Sequence, residues 1–337
     1  MFRSLRFALS WFAPTKDALF NLSIPWHYRW RLLALQPFAF LTYSIKYLPY
    51  AFSKRYSVIE IPTRGRHTVR AIVFQPPHRR QDQLCPLHLD FHGGAFLGGL
   101  AEYDAPFCEL LSDRAGAVVI SAQYRYTPAN VYPCAHEDAE DVIEWVLKNA
   151  RPVFNADPDC FTVSGSSVGG NLMLVAGTRA KAAVGICVPV DFRIPPWKKP
   201  KPENFPKQDP SSFLMPLFDA YAGPVRDRTQ DDFRLNPILR DVDELPRHIL
   251  LIVAGIDILA HEELTFLERI RNDRRARGQD GQRRFHALVF DKGFHGWLEL
   301  PSSLVNNKAD QNKAYEAAID LIMETHRSLQ DAALGGT

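Results

Sequence analysis

The stretch FTVSGSSVGGN, residues 161–171, carries the most informative pattern in the chain. It starts with a β-prone run, passes through the pentapeptide GSSVG, and is followed by a helical run over residues 172–180. A G-x-S-x-G turn between a strand and a helix is so tight that the residues two before and two after the serine must lack side chains. Gly165 and Gly169 meet this requirement. The pattern predicts that Ser167 stands at a helix N-terminus, where developing negative charge is favoured.

A second glycine turn, HGGAF, begins at His92 and follows a predicted strand over residues 87–91. Adjacent glycines let the backbone approach a ligand and point N–H groups at it, as an oxyanion hole requires. We therefore predict an oxyanion hole formed by the N–H groups of Gly93, Gly94 and Val168. We interpret His92 as a residue that fixes this loop and not as a catalytic base.

Two further residues complete a predicted catalytic triad. Asp257 follows a predicted strand over residues 249–254, and His295 follows the last predicted strand. Nucleophilic catalysis by Ser167 needs a neutral imidazole to accept its proton and a carboxylate to orient that imidazole. The order Ser, Asp, His along the chain is the order found in α/β-hydrolases. The weaker candidates are Asp191 for the acid, and His261 and His286 for the base.

The chain from residue 69 onward alternates short apolar runs with helical stretches, which predicts an α/β fold. Most of the runs are continuously apolar, as expected for strands that helices cover on both faces. The predicted strands are residues 69–74, 87–91, 118–123, 161–164, 183–188, 249–254 and 285–290. The predicted helices are residues 137–149, 264–271 and 313–329.

Residues 1–55 differ in composition from the rest, because they are rich in aromatic and basic residues and contain Asp17 as their only acid. We favour helices that fold over an apolar pocket as a cap, with peripheral contact to a membrane interface as the alternative. The uncharged run over residues 32–45 is shorter than the roughly 20 apolar residues of a spanning helix. A secretory signal over residues 1–13 is disfavoured, since Arg6 and Trp11 interrupt its apolar run.

The proline-rich stretch over residues 192–236 breaks the alternation of strands and helices. We interpret it as a second part of the cap, inserted into a hydrolase core formed by residues 56–191 and 237–337. Aromatic residues near the site are the candidate substrate contacts: Phe96, Phe213, Phe218 and Trp297.

Together these motifs resemble the hormone-sensitive-lipase-like α/β-hydrolases. The matching residues are HGGAF at 92–96, YRYTP at 124–128, Pro133, Asp138, Trp145, the turn at 165–171, Asp257 and His295. The resemblance implies an eight-stranded, mostly parallel sheet flanked by helices with a helical cap. It also implies hydrolysis of carboxylic esters through an acyl-enzyme, without a metal or organic cofactor. The chain departs from the family pattern at Ser166, usually acidic, at Ala129, usually Glu, and at Val168, usually small.

The net charge and the cysteine content narrow the functional classes to which the protein could belong. The formal net charge of +2 is too small to indicate a nucleic-acid binder. The five cysteines form no C-x-x-C pair, which favours reduced thiols in a cytoplasmic protein. We expect a serine hydrolase acting on small apolar esters. The alternatives are an acyltransferase, lactonase or cyclising enzyme, or a non-catalytic ligand receptor, and an edge strand or cap helix could pair two subunits.

Overall fold

An eight-stranded sheet forms the centre of the computed structural model, which describes residues 11–78, 83–207, 212–278, 283–300 and 307–335. The strands are β1 (Tyr56–Thr63), β2 (His67–Phe74), β3 (Cys85–Phe91), β4 (Val118–Ala122), β5 (Ala156–Ser166), β6 (Ala182–Ile186), β7 (His248–Ile256) and β8 (Phe285–Phe294). Their order is β1-β2-β4-β3-β5-β6-β7-β8, and only the pairs β1/β2 and β2/β4 are antiparallel. The predicted α/β-hydrolase fold is confirmed.

The sequence pattern missed one strand, β1. It pairs with β2 alone at the edge of the sheet, and Ile61 is its only fully buried residue. An edge strand covered on one face alternates apolar and polar residues, so it lacks the continuous apolar run that marked the other seven. Pro62 is tolerated there because one side of an edge strand has no neighbouring strand that needs a backbone N–H donor.

Helices cover both faces of the sheet. The described helices are α1 (Ala13–Phe20), α2 (Trp26–Tyr47), α3 (Ala105–Ala115), α4 (Cys134–Asn149), α5 (Val168–Met173), α6 (Met215–Phe218), α7 (Ala260–Ala276) and α8 (Lys308–Gly335). Leu251 and Val253 of β7 face a core shared with α4, α5 and α7, whereas Leu250 and Ile252 face a core shared with α3 and α8. Burial of successive residues on opposite faces explains why most residues of the central strands are apolar.

The helix after Ser167 is shorter than the sequence predicted. It runs from Val168 to Met173, and a 3₁₀ segment, Leu174–Arg179, follows it. Within that segment Gly177 has a φ of +54°, a left-handed conformation that interrupts the helical backbone.

The N-terminal hairpin, defined here as α1 and α2, lies above the carboxyl ends of the strands. Ala18 and Leu32 of the hairpin form one apolar cluster with Leu97 of the loop after β3 and Leu217 of α6. The proline-rich stretch contains short 3₁₀ turns around α6. None of the helices in the described ranges combines the length and apolar character needed to cross a bilayer.

Candidate active site

Ser167, His295 and Asp257 form a continuous hydrogen-bonded chain at the carboxyl ends of β5, β8 and β7. Ser167 Oγ lies 3.0 Å from His295 Nε2, and His295 Nδ1 lies 2.7 Å from Asp257 Oδ2. The other carboxylate oxygen of Asp257 accepts a 3.1 Å hydrogen bond from the backbone N–H of Leu259. The arrangement holds the imidazole with one nitrogen toward a carboxylate and the other toward a hydroxyl, the geometry of a general base on a nucleophile.

Ser167 is held in a strained turn. Its φ and ψ are +51° and −125°, a backbone conformation that residues with a side chain rarely adopt. A side chain at Gly165 would collide with the backbone of Gly169, and one at Gly169 would collide with the carbonyl oxygen of Phe91. The turn can therefore form only with glycine at both positions. It places Ser167 directly before α5, as the sequence predicted.

The charge environment of His295 favours its protonated form. Desolvation lowers the pKa of the imidazole, but the charge of Asp257 and its hydrogen bond raise it, and the net shift is upward from 6.5. The His295 side chain is 45% exposed, so a substrate can reach the ring. Asp191, the weaker candidate for the acid, is instead held by the guanidinium of Arg193 at 2.7 Å.

The predicted oxyanion loop has an unusual backbone. Gly94, Ala95 and Phe96 have φ values of +123°, +53° and +59°. A side chain at Gly94 would collide with the carbonyl oxygen of Gly98. The loop is fixed from outside, because Phe96 O accepts a 2.7 Å hydrogen bond from the N–H of Thr127.

The N–H groups that this loop presents are available to a ligand. Within the described residues, Gly93 and Gly94 donate no backbone hydrogen bond to the chain. Val168 is the first residue of α5, and the first N–H groups of a helix have no acceptor within it. The N–H of Ser167 is already bound to Ile186 O at 2.7 Å and cannot serve the same purpose.

His92 supports the loop, as interpreted from the sequence. Its Nδ1 donates to Gly93 O at 2.6 Å, and its ring stacks on Tyr124 with centroids 4.8 Å apart. Burial lowers the pKa of His92 to about 4. A buried, neutral imidazole with these contacts fixes the loop and does not face Ser167.

The four candidate substrate contacts lie in two different environments. Phe96 is fully buried and stacks on Tyr221, with 3.8 Å between ring centroids. Trp297 is fully buried against Phe290 in the core beneath α8. The structure thus places both rings in core packing, with no surface left for a ligand. Phe213 is exposed and Phe218 is half-buried beside the hairpin cluster.

Two residues near the triad were not singled out from the sequence. Cys187 is buried, and its sulfur lies within 4.8 Å of a ligand atom of Asp257 and of His295. Burial and the charges of Asp257 and Glu263 raise the pKa of this thiol well above its usual range, which keeps it protonated. A neutral thiol is a poor metal ligand. Glu299 is the second residue, and its carboxylate accepts a 2.5 Å hydrogen bond from Ser166 Oγ.

The loop that matched YRYTP is anchored from behind by Asp138. The Asp138 carboxylate accepts hydrogen bonds from Arg125 N at 2.8 Å and Arg125 Nε at 2.9 Å, and it contacts His67 Nε2 at 2.9 Å. Asp138 is completely buried, so these bonds replace its lost hydration. The anchored loop in turn supplies Tyr124 and Thr127 to the oxyanion loop.

Known proteins are similar to this chain in sequence and in fold. Esterase LipI of Mycobacterium tuberculosis is 34% identical over 122 residues, which are 36% of this chain and 37% of LipI. Ethyl acetate hydrolase of Pseudomonas putida is 25% identical over 226 residues, covering 64% of this chain and 69% of that protein. A hyperthermophilic esterase from Pyrobaculum calidifontis superposes with a TM-score of 0.65 at 26% identity, covering 80% of this chain and 86% of the other.

The family comparison covers the predicted catalytic triad and the predicted oxyanion loop. The model of the alpha/beta hydrolase fold family matches residues 88–296, well over half of the chain. This range begins before the oxyanion loop and ends just after His295. The chain therefore belongs to the α/β-hydrolase fold family, in its hormone-sensitive-lipase-like branch.

Proposed function

We propose that this protein is a serine hydrolase that cleaves carboxylic esters of apolar substrates through an acyl-enzyme. The observation that carries the proposal is the hydrogen-bonded chain from Ser167 Oγ through His295 to Asp257, with links of 3.0 and 2.7 Å. Relatives at 34% and 25% identity that are named esterase and ethyl acetate hydrolase support the same reaction class.

Acylation begins when Ser167 Oγ attacks the ester carbonyl carbon. His295 Nε2 takes the hydroxyl proton as the new carbon–oxygen bond forms, and Asp257 stabilises the resulting imidazolium. Hydrogen bonds from the N–H groups of Gly93, Gly94 and Val168 stabilise the negative charge on the former carbonyl oxygen. The imidazolium then protonates the departing alkoxide, the ester bond breaks, and the alcohol leaves.

Deacylation repeats these steps with water as the nucleophile. His295 Nε2 removes a proton from water, whose oxygen attacks the acyl carbon bound to Ser167. The tetrahedral intermediate collapses, the proton returns to Ser167 Oγ, and the carboxylic acid is released. The exposed edge of His295 gives water access to this nitrogen.

The apolar preference rests on the surroundings of the oxyanion loop. Leu97 directly follows that loop and packs with Leu32 of α2 and Leu217 of α6. Ala95 and Phe218 are partly buried on the same cluster. An acyl or alcohol group that binds beside this cluster leaves water for apolar surroundings, which favours an apolar group over a charged one.

Hydrolysis of a p-nitrophenyl ester series of increasing acyl length tests the proposal. The wild-type protein should turn over these esters, and Ser167→Ala should abolish turnover while the protein remains folded. Ser57→Ala is the matched control, since it removes an exposed hydroxyl of β1 and leaves Ser167 in place. A fluorophosphonate should label the wild type and not Ser167→Ala. Absence of turnover and of labelling in the wild type contradicts the proposal, and ester formation with an added alcohol in place of hydrolysis identifies an acyltransferase.

A further inference from the structure

The outward face of α2 is apolar along the whole helix. Apart from His27 and Pro37, its exposed residues follow one another at spacings of three and four, which places them on a single stripe. These residues are Trp26, Trp30, Ala34, Phe38, Leu41 and Ile45. The opposite, buried stripe consists of Leu32, Gln36 and Tyr43. Large apolar side chains thus face outward as well as inward, whereas the outer face of an ordinary surface helix is polar.

This stripe belongs to a larger apolar surface. Large apolar side chains are exposed at 23 positions in the described part of the chain, and 11 of these lie between Phe12 and Phe52. That segment is only about an eighth of the protein. Singly scattered apolar residues are normal on a surface, whereas such a concentration marks an interaction site. We call the exposed large apolar residues between Phe12 and Phe52 the apolar face.

Basic residues lie in the same segment as the apolar face, and acidic residues are almost absent from that segment. Arg29 donates to the backbone oxygens of Ala18 and Leu19, and Arg31 donates to the backbone oxygens of Phe213 and His27. Carbonyl acceptors position both guanidinium groups but do not neutralise their charge. Lys16 and Lys54 are exposed nearby, and Asp17 is the only acid before residue 56.

We propose that the apolar face binds the surface of membranes that contain anionic lipid, with α2 lying in the plane of the interface. Tryptophan is favoured at the boundary between headgroups and acyl chains, and Arg31 lies 4.4 Å from the ring centroid of Trp30, so the two can enter this boundary together. The positive charge around the face is complementary to anionic headgroups. A second copy of this chain is a poorer occupant, because a symmetric pair would bring the same cations of both subunits together.

Such binding would also deliver the substrate. The inner side of α2 packs through Leu32 on Leu97, whose N–H donates to Gly94 O at 2.8 Å. The helix that touches lipid therefore covers the oxyanion loop directly, and an ester dissolved in the membrane would enter beneath it. This consequence rests on the proposed esterase function, whereas binding itself does not.

Flotation of the full-length protein with vesicles tests the proposal. We expect binding to phosphatidylcholine vesicles that contain phosphatidylserine, and weaker binding to vesicles of phosphatidylcholine alone. The variant Trp26→Ser/Phe38→Ser/Leu41→Ser should lower the partition coefficient about tenfold or more, since it removes three buried apolar contacts with lipid. The matched control, Val153→Ser/Trp197→Ser/Leu264→Ser, removes three exposed apolar residues elsewhere and should bind as the wild type does.

Two further measurements separate binding from folding and from activity. Brominated lipids should quench tryptophan fluorescence of the wild type, and Trp26→Phe/Trp30→Phe should float normally but lose most of the quenching. Turnover of a short, water-soluble ester should be the same in the wild type and in Trp26→Ser/Phe38→Ser/Leu41→Ser, which no longer floats. Equal flotation of that variant and the wild type, or no flotation of the wild type, overturns the proposal. If the wild type does not float but forms a concentration-dependent dimer, and the same variant does not form it, the apolar face binds a second copy of this chain instead.

Discussion

Ser166 donates a 2.5 Å hydrogen bond to Glu299 Oε1 and thereby connects the turn that carries Ser167 to the chain just after His295. The same oxygen lies 3.2 Å from the point where a Cβ on Gly93 would stand. One carboxylate oxygen, on the segment that follows His295, therefore binds the turn that carries Ser167 and lies beside the predicted oxyanion loop. Members of this branch usually have an acidic residue at position 166, and here Glu299 brings a carboxylate beside that position from another segment.

The first prediction concerns this link. Glu299→Ala and Ser166→Ala should each lower kcat about 10- to 100-fold with little change in KM, because small displacements of reacting groups are costly even when substrate binding is untouched. The double variant should be no worse than the poorer single variant, since both remove one interaction. Steady-state kinetics on the four proteins measure this coupling. Additive losses in the double variant would show that the two residues act independently.

The second prediction concerns the pH dependence of hydrolysis. His295 accepts a proton only when neutral, and Asp257 raises the pKa of the imidazole above 6.5. The value of kcat/KM should therefore fall as the pH drops through that raised pKa. Asp257→Asn removes the charge, so the acid limb should move to lower pH while the plateau falls about 10⁴-fold. A pH–rate profile of both proteins measures the position of the acid limb. An acid limb at the same pH in both proteins would mean that a group other than His295 causes it.

Sequence patterns predicted the parts of the molecule that depend on local chemistry. The glycines around Ser167 had to lack side chains, so the nucleophile turn was visible in five residues. Central strands covered on both faces are mostly apolar and were found from that property alone. The edge strand β1 has one buried residue, Ile61, and gave no comparable signal.

Interactions between distant segments were not predictable in this way. Glu299 meets Ser166 across 133 positions of the chain, and nothing local to either residue indicates the other. The burial of Trp297 depends on its packing with Phe290 under α8, a tertiary contact that its position beside His295 conceals. Proximity in sequence to a catalytic residue is thus weak evidence for contact with substrate.

The third prediction compares two glycines that both have positive φ. Gly94 has a φ of +123° and no room for a side chain, whereas Gly116 has a φ of +62° and open space around its Cβ position. Gly94→Ala should displace the oxyanion loop and lower kcat/KM about 100-fold or more, the cost of losing one oxyanion donor. Gly116→Ala should cost about 1 kcal/mol of stability without changing kcat/KM. Ester hydrolysis and thermal unfolding measure both effects, and equal activity losses in the two variants would refute a special role for Gly94.

The fourth prediction concerns Asp90, a buried carboxyl of β3 that accepts hydrogen bonds from Ser164 at 2.6 Å and Ser121 at 3.1 Å. Burial raises the pKa of Asp90 to about 6, although both serines lower it. Between about pH 4 and pH 6 the folded protein therefore holds a proton that the unfolded chain releases, and stability should fall as the pH rises through this window. Above about pH 6 this contribution is lost completely, and the buried carboxylate is a net cost to folding.

Asp90→Asn keeps a polar side chain of the same shape and removes the ionisation. The variant should match the wild type near pH 4 and exceed its free energy of unfolding by about 1–3 kcal/mol at pH 8. Urea unfolding across this range measures the difference. Asp159→Asn, at a position whose side chain is 84% exposed, is the control and should change the slope little. A variant less stable than the wild type at pH 8 would mean that the two serine donors favour the ionised carboxylate more strongly than burial opposes it.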